Sequence, residues 1–216
     1  MVFVAMQQFA RPVIRQYFNA DSCIASTRVG INVLRHFGIG AKPLALSVLV
    51  INAEGSRLMR DEGVEAFQRA IRASQPEDEG GPWSIGVGAQ RSPLDIALDA
   101  WQGHLIVEIP QFRTFMDLSI DQANRPLKNI DLTPHYFTLE PGDPWLEGTE
   151  PVMEMFAADG TTLVLDRRAP DPEGFRKSTN WTGNNGLSAA LAECTDEIIA
   201  EVEKFFIEAG RVYGQP

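Results

Sequence analysis

Between Cys23 and Phe37 the apolar surface is too broad for a helix that faces water around most of its circumference. Ile24, Thr27, Ile31 and Leu34 recur at helical spacing, and Val29, Val33 and Phe37 widen the stripe. Only Arg28, Asn32 and Arg35 supply a polar strip, and Gly38 suits the position just past a helix end. Such a helix must be covered by something wide. The next segment, Leu44-Ala-Leu-Ser-Val-Leu-Val-Ile51, is a β-branched apolar run that reads as a mostly buried strand. A central helix packed on a sheet is therefore the first constraint on the fold.

The remaining pattern fits around that pair. Residues 1–17 read as a helix on Val2, Met6, Phe9, Val13 and Tyr17, with Pro12 expected to kink or restart it. Asn19–Ser22 is a polar break rich in N-cap residues. A short amphipathic helix is expected over Asp61–Ala73, on Val64, Phe67 and Ile71, followed by a surface loop over Ser74–Gly81. Strands are expected at Trp83–Val87, Leu94–Leu98, Gly103–Ile109 and Thr114–Leu118, the last two joined by a turn at Pro110–Arg113. Val152–Phe156 and Thr161–Leu165 form a hairpin pattern around Asp159-Gly160. A long helix, Leu187–Ala209, carries Leu187, Leu191, Cys194, Ile198, Val202 and Phe205 on one face and ends at Gly210. Helices, then antiparallel strands, then a helix read as an α+β chain, and 216 residues read as one domain spanning 1–216.

Composition removes several function classes. The net charge of −10 and the lack of a basic stripe exclude a nucleic-acid partner from the expectations. The longest apolar stretch, Leu44–Ile51, is far too short to span a bilayer, so no membrane association is expected. The two cysteines, Cys23 and Cys194, point to free thiols in a reducing compartment. The N-terminus has no basic region before its apolar opening and makes a poor signal peptide. The expected location is cytoplasmic. No His, Cys and Asp cluster has metal-ligand spacing, so neither a metal nor another cofactor is expected.

Cys23 carries the chemistry. A thiol at a helix start meets the positive end of the helix dipole and unpaired N–H groups, both of which favour the nucleophilic thiolate. A base and an orienter for it are available downstream. In Gly103–Ile109, His104, Ile106 and Glu108 share one strand face, while Leu105, Val107 and Ile109 form the other, which is expected to face the core. A two-residue turn puts His104 opposite Asp117, and a four-residue turn shifts the pair diagonally by two. Either register keeps both side chains on one face. A His–Asp hydrogen bond would then fix the imidazole tautomer. If the fold also brings Cys23 to His104, the chain is a thiol-dependent acyl-transfer enzyme.

These residues resemble a family. Ser22-Cys23, continuing through Thr27-Arg28 to Leu34-Arg35-His-Phe-Gly38-Ile39-Gly-Ala41, resembles the catalytic-helix motif of the transglutaminase-like superfamily. Gly103-His104-Leu-Ile-Val-Glu108 resembles its His-x-x-x-Glu strand, and Phe115-Met-Asp117-Leu-Ser119 its Val-Asp-x-Thr segment. The resemblance covers residues 21–122. It implies a papain-like fold, with the catalytic cysteine at a helix start packed on an antiparallel sheet. The strands and helix of residues 150–210 lie beyond the matched core. It also implies Cys23 as nucleophile, His104 as general base and acid, and Asp117 as orienter. Two features depart from the pattern: Leu105 replaces an aromatic residue often found after the histidine, and the region between Asn52 and Gln102 is longer and more acidic. The Arg-Gly-Gly-x-Cys motif of arylamine N-acetyltransferases, which share this triad, is absent.

The expected oxyanion donors are the Cys23 backbone N–H and one of Gln16, Tyr17 or Asn19, with Gln122 supporting the site from behind. Hydrolysis of a peptide, protein or small-amide substrate is the expected outcome. The alternatives are acyl transfer to an amine, of transglutaminase or arylamine N-acetyltransferase type, and a binding protein that keeps the fold without turnover. Cys194 is expected in the core, His36 in a structural role at a helix end, and His135 in a loop. Trp83, Trp101, Trp145 and Trp181 are expected in core or rim packing.

Overall fold

The computed structural model describes residues 1–19, 22–75, 77–88, 101, 103–168, 171–183 and 185–213. Its helices are α1 (Val2–Tyr17), α2 (Cys23–His36), α3 (Ala53–Glu62), α4 (Val64–Ala73), α5 (Pro144–Glu147), α6 (Thr179–Thr182) and α7 (Asn185–Tyr213). Its strands are β1 (Lys42–Ile51), β2 (Ser84–Val87), β3 (His104–Ile109), β4 (Thr114–Asp117), β5 (His135–Thr138), β6 (Val152–Phe156) and β7 (Thr162–Asp166). The strand expected at Leu94–Leu98 lies outside the described residues. Mixed helix and strand is the class observed, with a curled antiparallel sheet and a long C-terminal helix.

The sheet runs β5-β4-β3-β1-β7-β6, all antiparallel. Ten-residue β1 is its axis. Its first half pairs with β3, from Lys42 opposite Glu108 to Leu46 opposite His104. Its second half pairs with β7 on one edge and β2 on the other.

Helices α1, α2 and α7 cover one face of the sheet. Met6, Ile14, Val29, Leu34, Leu191, Cys194, Ile198 and Val202 pack there against Val107, Ile109, Met116 and Leu118 of the β3–β4 region. Gly30 makes the closest approach of α2 possible. A β-carbon there would lie 2.8 Å from the Leu118 side chain and 3.1 Å from Val107.

Leu105, Val107 and Ile109 of β3 are buried as expected, and the other face of the strand is buried as well. Ile106 and Phe115 sit with Leu46, Val48, Trp145, Leu163 and Leu165 in a second core. The sheet curls, so β6–β7, α5 and the segment after β4 close over that side.

Three local features differ from the sequence pattern. α1 is not restarted at Pro12. The proline lies on the exposed side, as does Gln8, whose carbonyl it leaves unpaired and open to water. Instead of one helix over Asp61–Ala73 there are two, because Gly63 at φ +88 ends α3 and opens α4. The start of α3 is fixed by Asn52, whose side chain accepts from the Gly55 N–H. α7 continues through Gly210 to Tyr213. Among the described residues no helix is long and apolar enough to cross a membrane.

Candidate active site

Cys23 is the first residue of α2, and the helix has no acidic side chain in its first turn. Ser22 occupies the N-cap without a side-chain capping bond, and the first helical bond runs from Ser26 N–H to Ser22 O. The positive end of the helix is therefore presented at the thiol. α2 is held to β3 by the Thr27 hydroxyl, which donates to Leu105 O at 2.7 Å, one residue from His104. That bond and the close packing at Gly30 set the distance between helix start and strand start.

His104 opens β3 and Asp117 closes β4. The turn at residues 110–113 has four residues, with Val107 opposite Met116 and Ile109 opposite Thr114. The diagonal arrangement is thus the one adopted. His104 Nε2–H donates to Asp117 Oδ2 at 2.6 Å. The second carboxylate oxygen accepts the Ser119 backbone N–H at 3.0 Å. Gln122 Nε2 lies 3.0 Å from His104 Nδ1. The Cys23 side chain also acts on His104 and favours its charged form. With Nε2 committed to Asp117, Nδ1 is the nitrogen left for the thiol and the Gln122 amide.

The electrostatics follow from burial and partners. His104 is 0% exposed, Asp117 3% and Cys23 7%, so the site is dry. Burial opposes the charged imidazolium, but the Asp117 carboxylate outweighs it, and the hydrogen bond and charge of Cys23 add to the gain. The His104 pKa rises to about 10. Burial likewise opposes charge on Asp117, but His104, then His135 and the Ser119 N–H, hold its carboxyl below the usual range. The arrangement favours an imidazolium beside the Asp117 carboxylate with the Cys23 sulfur as its neighbour, and such a ring can exchange a proton with a nearby acceptor.

The structure brings Cys23, His104, Asp117 and Gln122 together. Gln16 and Asn19 are exposed, and neither hydrogen-bonds to these four among the described residues. The Tyr17 hydroxyl donates to Glu197 of α7 at 2.9 Å. His135 is a correction: it is not in a loop but opens β5, directly opposite Asp117. Its signal in the sequence is weak, because His-Tyr-Phe-Thr is a short run placed soon after a proline. Arg11 and Arg15 of α1 also give no local signal. Arg11 Nε lies 2.7 Å from Asp121 Oδ1, and Arg15 pairs with the same carboxylate. This pins the turn that carries Gln122.

Cys194 is fully buried in the helical core, where burial pushes its thiol up to about 12. His36 ends α2 and meets Glu203 at 3.2 Å. Trp145 is core, and Trp83 lies under the Lys128 ammonium. Trp101 and Trp181 differ from these. They pack against a small cluster of Cys23, Ile24, Ala45, Leu105 and Phe175. Gly103, at φ +146, leaves room for the Trp101 ring, which a β-carbon would approach to 2.3 Å. Among the described residues no group of three or more His, Cys, Asp or Glu is placed to hold a metal ion.

No protein-family model matches the chain, no curated protein matches it, and no solved structure matches it.

Proposed function

We propose that the chain is a cysteine-dependent acyl-transfer enzyme of transglutaminase-like, papain-like architecture that hydrolyses a peptide or amide bond. The observation that carries this reading is the buried His104, bonded to the Asp117 carboxylate through one ring nitrogen, with the Cys23 side chain at a helix start close enough to favour its charged form. A buried imidazole has two ring nitrogens to satisfy. Here one ring nitrogen is taken by a buried carboxylate, and the other is left for a thiol at a helix start and an amide.

The Cys23 thiolate attacks the carbonyl carbon, and the tetrahedral oxyanion is held by N–H groups at the start of α2. As the C–N bond breaks, the His104 imidazolium gives its Nδ1 proton to the leaving amine. A thioester on Cys23 results. The neutral ring then takes a proton from water, whose oxygen attacks the thioester. The acid departs and the thiolate–imidazolium pair is restored. Asp117 keeps its charge throughout and orients the ring. An amine in place of water gives the transfer reaction.

A second reading, a binding protein that keeps the fold without turnover, is favoured by the 7% exposure of Cys23. The two separate with p-nitrophenyl acetate. An enzyme shows a burst of p-nitrophenol equal to the protein present and an acetyl group on Cys23 by mass spectrometry, both lost in Cys23→Ala and His104→Ala. If Cys23 is neither acetylated nor alkylated by iodoacetamide at pH 7 faster than a free thiol, the catalytic reading fails.

A further inference from the structure

Three aromatic rings meet beside Cys23 from two distant stretches of chain. Phe175 lies 5.7 Å from Trp101 and 4.7 Å from Trp181 between ring centroids, each pair edge-to-face. The group is fastened on several sides. The Trp101 indole N–H donates to Asp171 O at 2.7 Å, the Arg28 guanidinium donates to Trp181 O, and the Arg176 guanidinium lies 5.1 Å over the Phe175 ring. Phe175 is 1% exposed, whereas Trp101 and Trp181 are only partly buried.

We propose that Trp101, Phe175 and Trp181 form the wall that reads the acyl group, so that the substrate carries an aromatic or bulky apolar group next to the carbonyl attacked. The inference rests on Cys23 being the nucleophile. A cationic acyl group seated here loses its hydration and meets only the Arg28 and Arg176 guanidinium groups, a cost of several kcal/mol. An aromatic one gains apolar burial and edge-to-face contacts of about 0.5–1.5 kcal/mol per pair. Trp101 and Trp181 keep part of their surface toward solvent beside the helix start that presents the sulfur.

The test compares two reagents on the intact protein: iodoacetamide and N-benzyl-iodoacetamide. In both the thiolate displaces iodide, forming one S–C bond and releasing I⁻. Rates at Cys23, read by mass spectrometry, are divided by each reagent's rate with glutathione. The benzyl reagent is expected to be favoured about tenfold, the effect of ~1.4 kcal/mol of ring burial. Trp181→Leu and Phe175→Leu should bring the ratio to about unity, and Trp181→Phe, which keeps a ring, should restore most of it. Thermal unfolding identifies any variant that does not fold; if both leucine variants fail that check, the ratio in the unaltered protein decides. Equal rates there, or an unchanged preference in folded leucine variants, overturn the inference and leave the nucleophile standing. If neither reagent labels Cys23, the proposed function falls and the inference falls with it.

Discussion

His104 reaches Asp117 on the diagonal of the β3–β4 ladder, at 2.6 Å, across a register in which Val107 faces Met116. Extended by one step, that register puts Ile106 opposite Asp117, so the imidazole leans along its strand toward the carboxylate. The contact depends on the acceptor oxygen. Asp117→Asn keeps the shape but offers an amide whose nitrogen cannot accept from Nε2–H. Ester hydrolysis is expected to fall by about 10²–10⁴-fold. The structure should be unchanged by near-UV circular dichroism.

The same pair makes stability depend on pH. The folded pKa of His104 lies above its ordinary 6.5, so its contribution is complete below about 6.5 and is lost as pH rises toward about 10. That of Asp117 lies below its ordinary 3.8, so its contribution is present above that value and is lost as pH falls below it. Urea midpoints are expected to be highest between about pH 4 and 6.5 and to decline toward pH 10. His104→Gln should flatten the alkaline decline. If the slope between pH 6.5 and 10 is unchanged in that variant, another group causes it.

Arg11 is 4% exposed and pairs with an Asp121 that is 8% exposed. Removing Arg11 leaves Asp121 with Arg15, so the cost lies below the roughly 3–5 kcal/mol of a stranded buried charge. Arg11→Met should lower stability by about 2 kcal/mol in urea titrations. It should also slow ester hydrolysis, since Gln122 follows Asp121 and lies against His104. Arg11→Met combined with Asp121→Leu should recover most of the stability.

Cys194, buried and with its thiol pushed up to about 12, should not react at neutral pH. Iodoacetamide at pH 7 is expected to add one group per native chain, at Cys23, and two after unfolding in guanidinium. Cys194→Ala should leave the native count at one.

What the sequence disclosed follows from how far each relation reaches. The His104–Asp117 pairing was legible because a strand period of two and a short turn fix which side chains share a face. The choice between opposite and diagonal was not, since turn length alone decides it. That Cys23 meets His104 depends on Gly30 and Thr27 setting α2 against β3 from far along the chain, and no local pattern encodes it. α3 went unseen because Ala53–Glu62 has few apolar residues to mark a face, although Asn52 stood at its start. His135 was misplaced because β5 exists through its pairing with β4 and has little β-pattern of its own.

The second half of β1 is flanked on both edges, by β2 and by β7. Its successive amides alternate between the two edges and each is bonded into a ladder, so Val48 to Ile51 have no open edge and are expected to exchange slowly. β7 is formed more than a hundred residues later than β1, at Thr162–Asp166. During synthesis β1, a strongly apolar sequence, therefore leaves the ribosome before any of its partner strands, and the edge that β7 covers stays open longest. Until β7 arrives, that edge is the segment most exposed to pairing with another chain.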